Sequence, residues 1–227
     1  MPKIAVFSDD SFIVVYKWRD GNSPHESKLS YNIYNKDGIS RKYSGTGGDS
    51  VTSLSKFNDE YKTDHSVAVL PDDTFVISFA TESTDNQQYD VYIKKFERGG
   101  YKSESRPNYG YQIIAEKLLP LSADNANHQD NTDLAVLPNG NIVIAFETRL
   151  NNNEDIIFQQ LDASFNLIET NFYDSSISTE AAGVNSYRND DKMATNIVAL
   201  SDSSFVIVWE SDRALSVGQG HEIILQK

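Results

Sequence analysis

The chain has 227 residues and a formal charge of -13, a length that suits one large all-β domain or two smaller ones. Lys and Arg number 20 against 33 Asp and Glu, which excludes generic binding to nucleic acid or anionic membranes, because phosphate affinity rests on clustered cations. The absence of cysteine excludes a disulfide framework and any Cys-containing zinc site, and no run approaches the roughly 18 apolar residues of a membrane-spanning helix.

The first predicted elements lie in "IAVFSDDSFIVVYKW", Ile4 to Trp18: two apolar strands, A and B, joined by a tight turn of Asp and Ser. The pattern returns as "VAVLPDDTFVISFAT" (Val67 to Thr81), "LAVLPNGNIVIAFET" (Leu134 to Thr148) and "IVALSDSSFVIVWES" (Ile197 to Ser211). Phe7, Leu70, Leu137 and Leu200 therefore correspond, at steps of 63, 67 and 63 residues. Along strand B, large residues (Phe75, Ile77, Phe79) alternate with smaller ones (Val76, Ser78), which predicts burial on both faces in every copy. A third strand, C, follows each hairpin: "KLSYNIYNKDG", "YDVYIKKFERGG", "EDIIFQQLDASFN" and "HEIILQK". A fourth, D, follows in the first three copies: "ISRKYS", "YQIIAEKLL" and "LIETNFY".

The predicted fold is all-β, a β-propeller of four-stranded antiparallel blades. It forms a single domain over residues 1–227, with units at about 1–63, 64–130, 131–193 and 194–227. The last unit lacks its outer strand. Either four blades close a small ring, the favoured arrangement, or they belong to a larger ring completed outside the chain or by a second subunit. Self-association would complete the open blade.

The pairing of "VALSDSSFVIVWES" with "EIILQK", and of "LAVLPNGNIVIAFET" with "IIFQQLDASFN", resembles a known repeat, "VAxLxDGxFVVxWxS" followed by "VxxQxFDxxG". That repeat belongs to large secreted bacterial proteins, including RTX-type adhesins and calcium-associated surface proteins. The likeness covers nearly the whole chain. It departs at Lys17, where the third and fourth copies carry Glu147 and Glu210, and only the third copy keeps the turn glycine. It implies a secreted or cell-surface protein and calcium as the associated ion. The opening "MPKIAVFSDD" does not have the form of a signal peptide.

The A to B turns are short, whereas the B to C and D to A segments are long, polar and different in each copy, so ligand contact is expected on that face. The candidate ligand-binding residues there are Trp18, Asp20, Glu82, Asp85, Glu147, Asp155, Glu210 and Asp212. The expected function is non-enzymatic recognition of a glycan or protein ligand. The alternative is a carbohydrate-active enzyme, whose signature would be two non-equivalent buried carboxylates roughly 5 to 10 Å apart. No GxSxG or P-loop motif names a catalytic residue. His25, His65, His128 and His221 read as polar loop residues, since no HxxxH spacing links them. "GTGGDS" reads as a flexible loop, having no helix after it to cradle phosphate. "SADNANHQDNTD" and "FNDEYKTD" offer oxygen ligands for calcium without matching DxDxDG. Tyr101, Tyr109 and Tyr111, in the long C to D loop of the second unit, are placed to stack on a sugar or meet a partner.

Overall fold

The computed structural model describes residues 1–19, 27–39, 49–50, 62–82, 89–97, 113–119, 128–150, 153–173, 192–211, 214–215, 218–219 and 222–227. The first sheet contains β1 (Lys3–Val6), β2 (Phe12–Arg19), β3 (Ser27–Tyr34) and β4 (Asp49–Ser50). The second contains β5 (Lys62–Val69), β6 (Phe75–Glu82), β7 (Tyr89–Phe96) and β8 (Ile113–Leu118), and the third β9 (His128–Val136), β10 (Ile142–Leu150), β11 (Asn153–Leu161) and β12 (Leu167–Tyr173). The fourth unit holds β13 (Lys192–Ala199), β14 (Phe205–Ser211), the small ribbon β15 (Ala214–Leu215) and β16 (Gly218–Gln219), and then β17 (Glu222–Gln226). Each main sheet is an antiparallel meander in chain order, with β13, β14 and β17 making a three-stranded fourth sheet. These are the blades of a β-propeller.

Strands A and B are joined by a turn geometry that all four copies share. The amide of Phe7, Leu70, Leu137 or Leu200 donates to the carbonyl four residues on, and the amide of Asp10, Asp73, Gly140 or Ser203 donates back. The side chain of Asp9, Asp72, Asn139 or Asp202 accepts from the amide two residues later, an Asx turn that favours this reversal. The third turn position has positive φ in every copy: 62° at Asp10, 61° at Asp73, 85° at Gly140 and 63° at Ser203. The missing glycines therefore cost backbone strain without changing the turn.

Strands begin earlier than apolar periodicity predicts. β9 starts at His128, inside "SADNANHQDNTD", and β5 takes in Lys62 to Asp64. A register shift recurs in β5, β9 and β13 at this polar end, so backbone pairing continues past the apolar run through a bulge. In the third unit the B to C connection is short, Leu150 pairing with Asn153, and Asp155 lies within β11 opposite Thr148. The outer strand of the first blade comes from Asp49–Ser50, within "GTGGDS", pairing with Tyr31 and Ser30; from Ser40 on, "ISRKYS" lies outside the described residues.

Three apolar clusters fill the spaces between successive blades. Phe7, Phe75, Phe96 and Tyr31 join the first two, with Phe75 stacked on Phe96 at 4.9 Å. Leu134, Ile144, Phe146 and Val91 join the second and third, and Ile156, Phe158, Ile207 and Trp209 the third and fourth. Central B strands are buried on both faces, Phe75 to Thr81 and Ile142 to Thr148 without interruption. The end blades depart from the expectation. β2 buries Ile13 and Val15 but leaves Phe12, Val14 and Tyr16 half-buried, and β14 buries Ile207 and Trp209 but leaves Val206 and Val208 half-buried. The first and fourth blades do not cover each other, so four units do not close the ring.

Polar bonds from the inner strands to the preceding blade reinforce these interfaces. His65, expected in a loop, is buried in β5 and its Nε2–H donates to the Val15 carbonyl of the preceding blade at 3.2 Å. At the matching position Thr132 donates to the Ser78 hydroxyl at 3.1 Å. Burial lowers the pKa of His65 below the usual 6.5, only partly opposed by its bond to Val15.

Two outcomes follow from this geometry. Ser203→Gly should raise stability by about 0.5 to 1 kcal/mol and Gly140→Ala should lower it by about 1 to 2 kcal/mol in urea unfolding. Because His65 is held neutral, its contribution is complete above the unfolded pKa of 6.5 and is lost as pH falls below that value. The melting temperature should drop between pH 7 and pH 5, and His65→Gln should flatten that drop.

Candidate active site

The repeat steps bring Lys3, Ser66, Asp133 and Asn196 to one equivalent position on the four inner strands. Four different residues thus meet at one level beside the axis. Asp133, buried in β9, accepts from the Ser66 hydroxyl of the second blade at 2.6 Å and from the Ile197 amide of the fourth at 2.9 Å. The ammonium of Lys3, on the first blade, lies 3.6 Å from the same carboxylate. One side chain of the third blade therefore contacts all three others. A buried carboxylate needs such partners, since isolating it in a low-dielectric interior is strongly unfavourable.

Glu147 is the second buried carboxylate of this blade. The Asn131 amide donates to its Oε2 at 2.6 Å. Asn131 sits at the strand irregularity between Asp130 and Asp133 with φ of 46°, a left-handed conformation that Asn tolerates better than most residues. The bulge re-aims the Asn131 side chain toward the neighbouring strand. Asp133 pairs with Ala145, two residues before Glu147. Both acids consequently share the face of blade three that meets blade four, on adjacent strands. Asp90 lies on the second blade opposite Thr81, and burial raises its pKa above the usual 3.8.

Of the residues expected to bind ligand, Glu147 is the one placed in this centre. Glu210 holds the matching position on β14 and is half-buried on the blade's uncovered side. It does not converge with Glu147. Trp18, Glu82 and Asp155 lie in β2, β6 and β11, and their side chains lie outside the described set. Asp20, Asp85 and Asp212 lie outside the described residues, as do His25, His221, Tyr101, Tyr109 and Tyr111. Among the described residues no group of three His, Asp or Glu side chains could hold a metal ion. Sequence reasoning named Asp133 only as the last residue of a calcium-ligand stretch and not among the ligand-binding residues. Its signal was available: a polar residue just before the apolar run of strand A in each of the last three copies, with Lys3 equivalent in the first.

On the A to B turn side of the blades lies a cavity of about 500 Å³. It is lined by residues of all four blades, among them Phe7, Leu70, Pro71, Leu137, Pro138 and Leu200.

No family model and no curated protein matches the chain. Solved structures do. The chain is similar to an endo-arabinase from Bacteroides thetaiotaomicron, with 11% identity, a TM-score of 0.51, and coverage of 99% of this chain and 72% of that one. It is also similar to the GH93 α-L-arabinofuranosidase of Fusarium graminearum, solved with arabinobiose, at 11% identity and a TM-score of 0.59, covering 99% of this chain and 60% of that one. A third is the Penicillium chrysogenum α-L-arabinanase, also with arabinobiose, at 10% identity and a TM-score of 0.58, again covering 99% and 60%. The likeness supports the β-propeller fold, which has five blades in those structures. It also corrects the expected function: the fold-mates are glycoside hydrolases rather than adhesins, so neither the non-enzymatic binding module nor the leaning away from an enzyme stands.

Proposed function

We propose that the chain is a glycoside hydrolase of the propeller type, acting on an arabinose-containing or related glycan. The observation that carries this reading is the presence of two non-equivalent buried carboxylates, Asp133 and Glu147, on one face of one inner blade. Glycoside hydrolysis needs such a pair: one carboxyl protonates the leaving oxygen as the glycosidic bond breaks, and the other activates water or attacks the sugar. Separations of roughly 5 to 9.5 Å serve the two variants of that chemistry. Arabinose-based ligands in two of the fold-mates support the substrate class.

The two acids differ in what surrounds them. Asp133 is committed to Ser66, Ile197 and Lys3, so it is fixed in place. Glu147 accepts from the Asn131 amide and lies toward the end of β10 where the B to C and D to A connections lie. Glu147 is therefore the acid or base that meets substrate, and Asp133 is its fixed companion.

Reducing-sugar release from arabinan, arabino-oligosaccharides and galactan measures the activity. Glu147→Gln should cut turnover at least ~100-fold while leaving the circular dichroism spectrum and melting temperature near those of the parent. Asn131→Ala should cost less, through loss of orientation alone. Wild-type protein that releases no sugar from any of these glycans, or a Glu147→Gln protein as active as the parent, would overturn the proposal.

A further inference from the structure

His65 stands between two of the contacts that fix Asp133. Its neighbour in the chain, Ser66, donates to the Asp133 carboxylate at 2.6 Å. Its own Nε2–H donates to the Val15 carbonyl of the first blade at 3.2 Å. Val15 is the cross-strand partner of Lys3, whose ammonium lies 3.6 Å from the same carboxylate. One imidazole therefore ties the strand that carries Ser66 to the strand pair that carries Lys3.

The surroundings of this ring favour its neutral state. His65 is 2% exposed, and its Nδ1 is buried with no hydrogen-bond partner among the described residues. A proton added there would place a positive charge and an unmatched N–H in the interface together, and both are unfavourable away from water. Lys3 and the amine of Met1 add repulsion, opposed by Asp64 on the same strand. The facing surfaces of the two blades also carry Lys17 on β2 and Asp90 and Lys94 on β7, the last with its ammonium 5.5 Å over the Phe79 ring, and β9 reaches the strand through Asp133. Thr132 and Thr195 hold the matching position in the next two interfaces. Of these three residues, His65 alone changes charge near neutral pH.

The near end of β1 is placed to respond. Lys3 is half-buried and Ile4 is 62% exposed, whereas Phe7, just past the strand, is buried with its ring edge-on to Phe75 at 6.0 Å. Displacement of the Lys3 end about Phe7 leaves the apolar cluster between the two blades in place. We propose that His65 is a positioning residue for the Asp133 centre: the neutral ring holds Lys3 and Ser66 together on Asp133, and protonation of the ring releases Lys3 from it. Because burial keeps the ring's pKa below 6.5, the contact is intact above that value and is released on its acid side. The release is independent of the hydrolase reading, and its consequence for turnover rests on that reading.

Nuclear magnetic resonance of the His65 ring and the Lys3 ammonium in the whole 227-residue chain tests the coupling. Between pH 7 and pH 5 the Lys3 signal should shift with the same midpoint as the His65 ring, while the methyl signals of Val76 and Ile144 in the next interface stay still. His65→Gln supplies a side-chain amide that donates to Val15 without titrating, so its Lys3 signal should hold the neutral-pH position throughout. Turnover of the parent should fall ~10-fold one pH unit below the midpoint, where the neutral ring is about a tenth of the total, and turnover of His65→Gln should not follow that curve. A ring that stays neutral to pH 5, or a Lys3 signal that stays still while the ring titrates, would refute the proposal. An unchanged acid transition of the Lys3 signal in His65→Gln would refute it equally. A coupled Lys3 shift in a protein that releases no sugar at any pH would uphold the contact and overturn the hydrolase reading alone.

Discussion

Asp133 is the point on which the blade arrangement depends. Apolar clusters hold each pair of adjacent blades, but they are non-directional and tolerate sliding of one sheet on another. The Asp133 carboxylate is directional. It accepts from Ser66 of one neighbour and the Ile197 backbone of the other, and draws Lys3 across the axis. Loss of one such partner leaves buried polar groups unsatisfied, a penalty of about 1 to 3 kcal/mol. The same residue shares a sheet face with Glu147, so the geometry that sets blade spacing also sets the position of the candidate catalytic carboxylate.

Repetition and its breaks serve different ends. Four A to B turns reuse one hydrogen-bond pattern and one positive-φ position, which is what a scaffold needs to stack similar sheets. Function is placed where the units diverge. Lys3, Ser66, Asp133 and Asn196 are equivalent in position and different in chemistry, as are Lys17, Ala80, Glu147 and Glu210. A symmetric ring of identical side chains would supply several copies of one group, whereas acid and base roles require environments that differ.

Much of the architecture was legible in the sequence because strand A, strand B and the turn between them leave a period-two pattern that survives drift. The outer strand "LIETNFY" matches β12 from Leu167 to Tyr173, and "HEIILQK" contains β17. The polar extensions were not legible. His128 to Thr132 pair through backbone groups across a bulge, and backbone pairing leaves no trace in side-chain hydropathy. His65 looked like a loop residue because its burial depends on a carbonyl of another blade, a contact 50 residues away in sequence. Nor could residue type reveal the uncovered faces: Ile4 and Ile223 resemble the residues buried at equivalent positions, and only the missing neighbour distinguishes them. The adhesin-like motif described packing faithfully, and packing is shared by binders and hydrolases alike.

Glycan chemistry beside Asp133, at the end of the axis where Asn131 and Glu147 lie, would leave its mark on the amides of that end. Titrating arabino-oligosaccharides into isotopically labelled protein and following amide resonances tests it most directly. The largest shifts should fall on Asp130 to Asp133 and Glu147 to Thr148, with the turn-side amides of Leu70, Leu137 and Leu200 unmoved. Shifts confined to that turn-side cavity would contradict it.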